Sequence, residues 1–157
     1  MTDFTESDAP VPPMRPQIGA CRWHGVDLLQ YKDEGSAPFK DITRQTLFDD
    51  PDLKCQVRYF EMAAGGYSTL ERHEHVHAVV ILRGSGQCMV GERVFAVNER
   101  DLVNIPGMTW HQFRASAEAP MGFLCVVNQE RDRPQLPTQE HLRVMRENPE
   151  IAGFIRV

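Results

Sequence analysis

The segment Glu71-Arg72-His73-Glu74-His75-Val76-His77 places three of the chain's six histidines within five residues, beside a carboxylate. Imidazole nitrogens and carboxylate oxygens are the donors that hold a divalent transition metal, and close spacing removes much of the loop-closure cost of gathering them. On extended backbone, side chains alternate between faces, so Glu71, His73, His75 and His77 share one side while Arg72, Glu74 and Val76 take the other. The spacing therefore predicts a metal site with up to four donors on one face of a strand.

The same residues also spell HExxH, the pattern of a zinc-protease helix with Glu74 as general base. Ser68 and Glu71 could form a capping box, and Gly84 could close a helix over residues 69–83. Against the helix stand β-branched Val76, Val79, Val80 and Ile81, and an apolar run from Ala78 to Leu82 without gaps at helical spacing. A strand is the expected element, and the zinc protease is kept as a remote alternative.

The rest of the chain supplies strands to position this segment. A length of 157 residues, with 41% hydrophobic and 25% charged residues, is that of one globular domain. Residues 1–19 are proline-rich (Pro10, Pro12, Pro13, Pro16) and are expected to form a flexible arm. Residues 20–53 form an N-terminal extension packing on a barrel, with Trp23 and Leu28 as anchors, His24 as a packing or surface residue, and a strand over Thr43–Phe48. Residues 54–130 hold the barrel. Its strands are expected at Cys55–Met62, Gln87–Val90, Arg93–Val97, Leu102–Ile105, His111–Ala115 and Met121–Asn128, with turns at Gly65-Gly66, Arg83–Gly86, Gly91-Glu92 and Pro106-Gly107. Residues 131–157 form a helix and tail, the helix capped by Thr138 and stopped by Asn148-Pro149. Closely spaced short strands with one late helix read as an all-β sandwich or barrel.

A net charge of −5 without a Lys/Arg cluster gives no footprint for nucleic acid or an anionic membrane. No run is long and apolar enough to span a bilayer, and the first residues lack the features of a signal peptide, so a cytoplasmic protein is expected. Cys21, Cys55, Cys88 and Cys125 lie more than thirty residues apart, which suits neither a CxxC site nor a compact disulfide framework.

These features resemble a single-domain cupin, a double-stranded β-helix of the jelly-roll type. The tail of the first cupin motif, a ligand followed by six residues and a glycine, is met by His77 and Gly84. Counting back, Glu71 and His73 occupy the motif's two histidine positions. The second motif resembles Asp101 to His111, with His111 five residues after Pro106. The chain departs from the pattern in permuting histidine and glutamate, and in carrying Arg100, Met108 and Ala115 where glycine, glycine and asparagine are usual. The resemblance implies a cupin barrel with an N-terminal extension and a short C-terminal helix, and a ligand set of Glu71, His73, His77 and His111. His75 is an alternative ligand in the register that pairs it with His73, or lies beside the site.

The implied cofactor is one divalent ion of Fe, Mn, Ni, Zn or Cu. Candidate cavity residues are Phe60, Met89, Phe95, Trp110 and Phe113, with Tyr67 as a candidate proton donor at the rim. The resemblance further implies a metal-dependent enzyme, dioxygenase-like, or a lyase or isomerase, acting on a small oxygenated or aromatic molecule. The alternative is a non-catalytic metal- or ligand-binding cupin. A homodimer is expected from the family's habit and from the apolar residues Trp23, Val26, Leu28 and Leu29.

Overall fold

Alternating inward apolar residues build a curled antiparallel sheet in the computed structural model, which describes residues 11–157. The strands are β1 (Leu29–Gln30), β2 (Lys40–Asp50), β3 (Cys55–Tyr67), β4 (His77–Arg83), β5 (Gly86–Val90), β6 (Arg93–Val97), β7 (Leu102–Ile105), β8 (His111–Ala115) and β9 (Met121–Asn128). They are followed by helices α1 (Gln139–Met145) and α2 (Pro149–Phe154). Strand order runs β6-β5-β8-β3-β9-β4-β7, and β2, carrying β1, pairs along β3 outside that path. This is the double-stranded β-helix expected from the sequence.

The register aligns inward residues in rows. Arg44, Phe60, Phe123 and Ile81 face one another across β2, β3, β9 and β4. The neighbouring row is Thr46, Arg58, Cys125, Val79 and Val103. Ile42, Phe60, Met62, Val79, Ile81, Phe113, Met121 and Phe123 fill the main core. Each large side chain withdrawn from water contributes about 1.5–3 kcal/mol, so these strands hold together chiefly by burying their inner faces.

β3 runs further than expected. Gly65-Gly66 does not end it; Gly65 adopts φ +74°, and the strand continues to Tyr67 beside Lys40. A left-handed glycine bends the strand without a steric penalty. Two other left-handed positions are Arg100 (φ +73°) and Met108 (φ +54°), where the cupin motif carries glycine.

α1 is capped as expected: the Thr138 hydroxyl accepts from His141 N and the Thr138 N–H donates to His141 Nδ1. Asn148-Pro149 does not stop the helical region but opens α2, because the Asn148 side chain accepts from Glu150 N and proline suits the first helical position. Leu142, Ile151, Phe154 and Ile155 pack with Leu70 and Met89 in a second core. Beyond α2, fully buried Gln112 donates to the carbonyls of Ser68 and Arg156 and accepts from Arg156 N.

The first ten residues of the expected arm lie outside the described residues. Residues 16–24 form a turn in which Gln17 bridges Trp23, and Trp23 packs edge-on against Tyr59 at 5.1 Å. Leu28 is no anchor: it is 46% exposed, because β1 lies on the outer edge of β2. His24 is exposed.

Candidate metal centre

Residues 71–76 are neither a regular strand nor a helix. Glu71 and Arg72 make single bridges to His111 and Gln135, residues 74–75 bend, and His77 opens β4. The helix that HExxH requires is not formed, so Glu74 has no place as the general base of a zinc protease.

The bend gathers His73, His77 and, from β8, His111. Their ring centroids form a nearly equilateral triangle, 5.0 Å, 4.9 Å and 5.1 Å apart. One nitrogen from each lies within 4.8 Å of the others, a spread that small ring rotations close around an ion with bonds of about 2.1 Å.

The rings are aimed by their other nitrogens. His73 Nδ1 donates to the His75 carbonyl at 2.7 Å, and His111 Nδ1 to the Thr109 carbonyl at 2.9 Å. His77 Nδ1 lies 3.3 Å from Cys125 Sγ, while its Nε2 is buried without a protein partner. A carbonyl that takes the Nδ1 proton leaves Nε2 with its lone pair, the arrangement usual behind metal-bound histidines. Burial, followed by the neighbouring positive groups, pushes His77 down to about 2. Burial pushes His111 down to about 4 against the opposing pull of the Thr109 carbonyl and Glu71, and His73 is lowered chiefly by burial. Three neutral imidazoles with one orphaned buried nitrogen fit a divalent metal.

Glu71 borders the same cavity and exchanges backbone hydrogen bonds with His111, but its carboxylate is ion-paired with Lys32. It therefore stands outside the three-histidine group. His75 lies beside the group: its ring stacks on His73 with centroids 3.6 Å apart, and its Nδ1 meets Asp132 Oδ1 at 2.7 Å.

The cavity, about 160 Å³, is lined by the histidines together with Tyr31, Lys32, Arg44, Arg58, Phe60, Phe113, Phe123 and Cys125, among others. Phe60 and Phe113 belong to it as expected. Met89 does not, because β5 turns it into the second core. Phe95 packs on the main core, and Trp110 sits outside under the Arg72 guanidinium and against His141. Tyr67 ends β3 next to Arg114 and does not reach the cavity; the phenol that does is Tyr31, kept protonated by burial and then by Glu71.

Tyr31, Lys32, Arg44, Arg58, Cys125 and Asp132 were not picked out in the sequence. Asp132 fastens the histidine loop by accepting from Glu74 N at 2.8 Å and His75 N at 3.1 Å as well as meeting the His75 ring. Nothing local marks it. Arg58 did carry a signal: it shares strand parity with buried Phe60 and Met62.

The cupin domain model matches residues 58–127. A crystal structure of a cupin 2 conserved barrel domain protein from Rhodopseudomonas palustris superposes with a TM-score of 0.87 at 58% identity, covering 92% of this chain and 99% of that one. A cupin-2 domain protein from Rhodospirillum rubrum gives 0.81 at 55% identity, covering 91% and 96%. A curated relative from Rhodospirillum rubrum, 1-methylthio-D-xylulose 5-phosphate methylsulfurylase, is 56% identical over 143 residues, 91% of this chain and 92% of that protein. Motif spacing, barrel topology and likeness over nearly the full length agree, and the chain belongs to the cupin family.

Proposed function

We propose that this cupin is a metal-dependent, lyase-like enzyme that passes the methylthio group of 1-methylthio-D-xylulose 5-phosphate, the substrate named for its Rhodospirillum rubrum relative, to a small thiol. The C1–S bond breaks, the two sulfurs join as a mixed disulfide, and the electron pair left on C1 takes a proton. The observation that carries a metal-dependent reaction is the triangle of His73, His77 and His111: backbone carbonyls hold the Nδ1 protons of His73 and His111 and leave their Nε2 atoms to ligate, and the His77 Nε2 is buried without a partner. The substrate follows from the 56% identity that extends over nine-tenths of both chains.

His73, His77 and His111 would hold the metal, which supplies Lewis acidity to an oxygen of the keto sugar. The chain's own groups complement an oxygen-rich anion. Lys32 stands at the cavity wall with Glu71, and Tyr31 offers a phenolic proton because burial disfavours its ionised form. Phe60, Phe113 and Phe123 supply the apolar wall against which a methylthio group can pack. The dioxygenase reading of the sequence draws support only from the positions that three histidine ligands leave free on a metal.

The test is to load the protein separately with Mn, Fe, Ni or Zn. Each form is incubated with 1-methylthio-D-xylulose 5-phosphate and a small thiol as sulfur acceptor, following the methylthio protons and the phosphorus by NMR. Loss of the sugar-bound methylthio signal, abolished in His111→Ala, is expected. Intact substrate with every metal would overturn the proposal, and oxygen uptake in the same mixture would point back to a dioxygenase.

A further inference from the structure

Two arginines occupy positions that an all-β core normally fills with apolar side chains. Arg44 and Arg58 project inward from β2 and β3, in rows otherwise formed by Phe60, Phe123, Ile81, Cys125, Val79 and Val103, all buried, and by Thr46. Both line the cavity that holds the three histidines.

Neither is neutralised. Among the described residues, no carboxylate forms an ion pair with Arg44 or Arg58, and the Nε of each is buried without a hydrogen-bond partner. The hydrogen bond that Arg58 does make is a long one, from Nη2 to Cys125 Sγ at 3.6 Å, and its guanidinium carbon lies 5.1 Å from the Phe60 ring centroid. The two carboxylates at the cavity are already engaged, Glu71 by Lys32 and Asp132 by His75. Burial, then the charge of Arg58, lowers the Arg44 pKa, and the same two causes act in the same order on Arg131. Arg131 borders this cavity too, held there by Gln56 Oε1 at 2.9 Å and the Asn128 carbonyl at 2.7 Å.

A half-buried guanidinium whose Nε is buried without a partner is under-satisfied, and planar guanidinium groups are suited to holding a tetrahedral oxyanion through paired N–H donors. We propose that Arg44 and Arg58, with Arg131 at the rim, form an anion subsite that binds the phosphate of the sugar substrate. It thereby orients the molecule with its keto end toward His73, His77 and His111. The naming of the anion as a sugar phosphate rests on the proposed function; the existence of the subsite rests on the arginines.

The experiment compares D-xylulose 5-phosphate with D-xylulose as probes on the metal-loaded full chain, by calorimetry, for wild type, Arg44→Gln, Arg58→Gln and Arg58→Lys. In wild type the phosphate should tighten binding roughly 10- to 100-fold, the gain expected of charge-assisted hydrogen bonds. Each glutamine variant should lose most of that gain and leave D-xylulose affinity unchanged, with Arg58→Lys intermediate. Without ligand, the glutamine variants should melt no lower than wild type, because a repelled, unpaired charge has been removed.

An equal phosphate gain in all four proteins, or ligand-free variants melting several degrees lower, would overturn the subsite and assign the arginines to the scaffold. Loss of the phosphate gain in a protein that leaves 1-methylthio-D-xylulose 5-phosphate intact would uphold the subsite and remove the proposed reaction. Turnover that persists with the phosphate gain intact in the variants would do the reverse.

Discussion

The ring of His75 lies flat on the ring of His73, 3.6 Å between centroids and 4° from parallel, while the His75 carbonyl accepts the His73 Nδ1 proton. One residue thus sets both the orientation and the tautomer of its neighbour, and Asp132 in turn holds His75. The carbonyl survives any change of the His75 side chain. His75→Ala should therefore keep near-stoichiometric metal, measured by elemental analysis, whereas His73→Ala, His77→Ala and His111→Ala should each lose it. Asp132→Ala releases three contacts to the loop at once and should weaken metal binding roughly 10- to 100-fold in chelator competition. An empty site in His75→Ala would instead make that ring a ligand.

Glu71 and Lys32 give a paired test of the fourth ligand. Glu71→Gln removes a negative charge beside three neutral imidazoles and should lower affinity for a dication at least tenfold. Lys32→Met frees the carboxylate and should leave affinity equal or higher. An unchanged dissociation constant in Glu71→Gln would restrict the ligand set to the histidines.

Acid should destabilise the metal-free protein in a defined window. His111 and His77 have folded pKa values lowered to about 4 and about 2, against about 6.5 in an unfolded chain, so below pH 6.5 the unfolded state binds more protons. Stability is complete above pH 6.5 and falls as the pH drops toward 4, by an amount on the order of 3 kcal/mol from His111 alone. Melting temperatures of the metal-free chain should be level from pH 8 to 7 and then fall. In His111→Gln the fall should be shallower; the same slope would show that other groups govern it.

Gly84 closes the first cupin motif with φ +70°, and a Cβ there would meet the Pro120 carbonyl oxygen at 2.1 Å. Gly84→Ala should cost roughly 2 to 4 kcal/mol, read as a fall in melting temperature. Arg100→Gly, at a left-handed position already occupied by a side chain, should change stability by less than about 1 kcal/mol, because relief of strain offsets glycine's added entropy when unfolded. Equal losses in both would show that the turn conformations do not matter.

Strand spacing and glycine turns made the barrel legible because the side-chain period of two is imposed locally. Spacing along one strand face pointed to Glu71, His73, His75 and His77, and His111 came only from the resemblance of Asp101 to His111 to the second cupin motif. The fold gathers His73, His77 and His111 and leaves His75 and Glu71 beside them. Asp132 and Cys125 had no local mark as site residues because they come from segments about fifty residues from the histidines they contact, Cys125 through the register of β9 on β4 and Asp132 through the loop that follows β9. Met89 and Trp110 were misplaced for a related reason: the two short helices create a second core outside the barrel, and parity along a strand does not say which of two apolar neighbours a residue will meet. Asn148-Pro149 reads equally as the end of one helix and the start of the next; buried Ile151 and Phe154 decide it.

Gln112 directly follows His111, a member of the three-histidine group, and is tied through both side-chain amide atoms to Arg156, next to the last residue of the chain. The tail is thereby a tension member for the histidine beside it. An affinity tag fused after Val157 loads this tie and trimming of the last two residues removes it, so both should loosen the strand that presents His111, whereas a tag at the N-terminus does not act through this tie. Preparations tagged at opposite ends are therefore not interchangeable for metal analysis, and the tail becomes a handle by which His111 can be loosened without replacing any residue that faces the cavity.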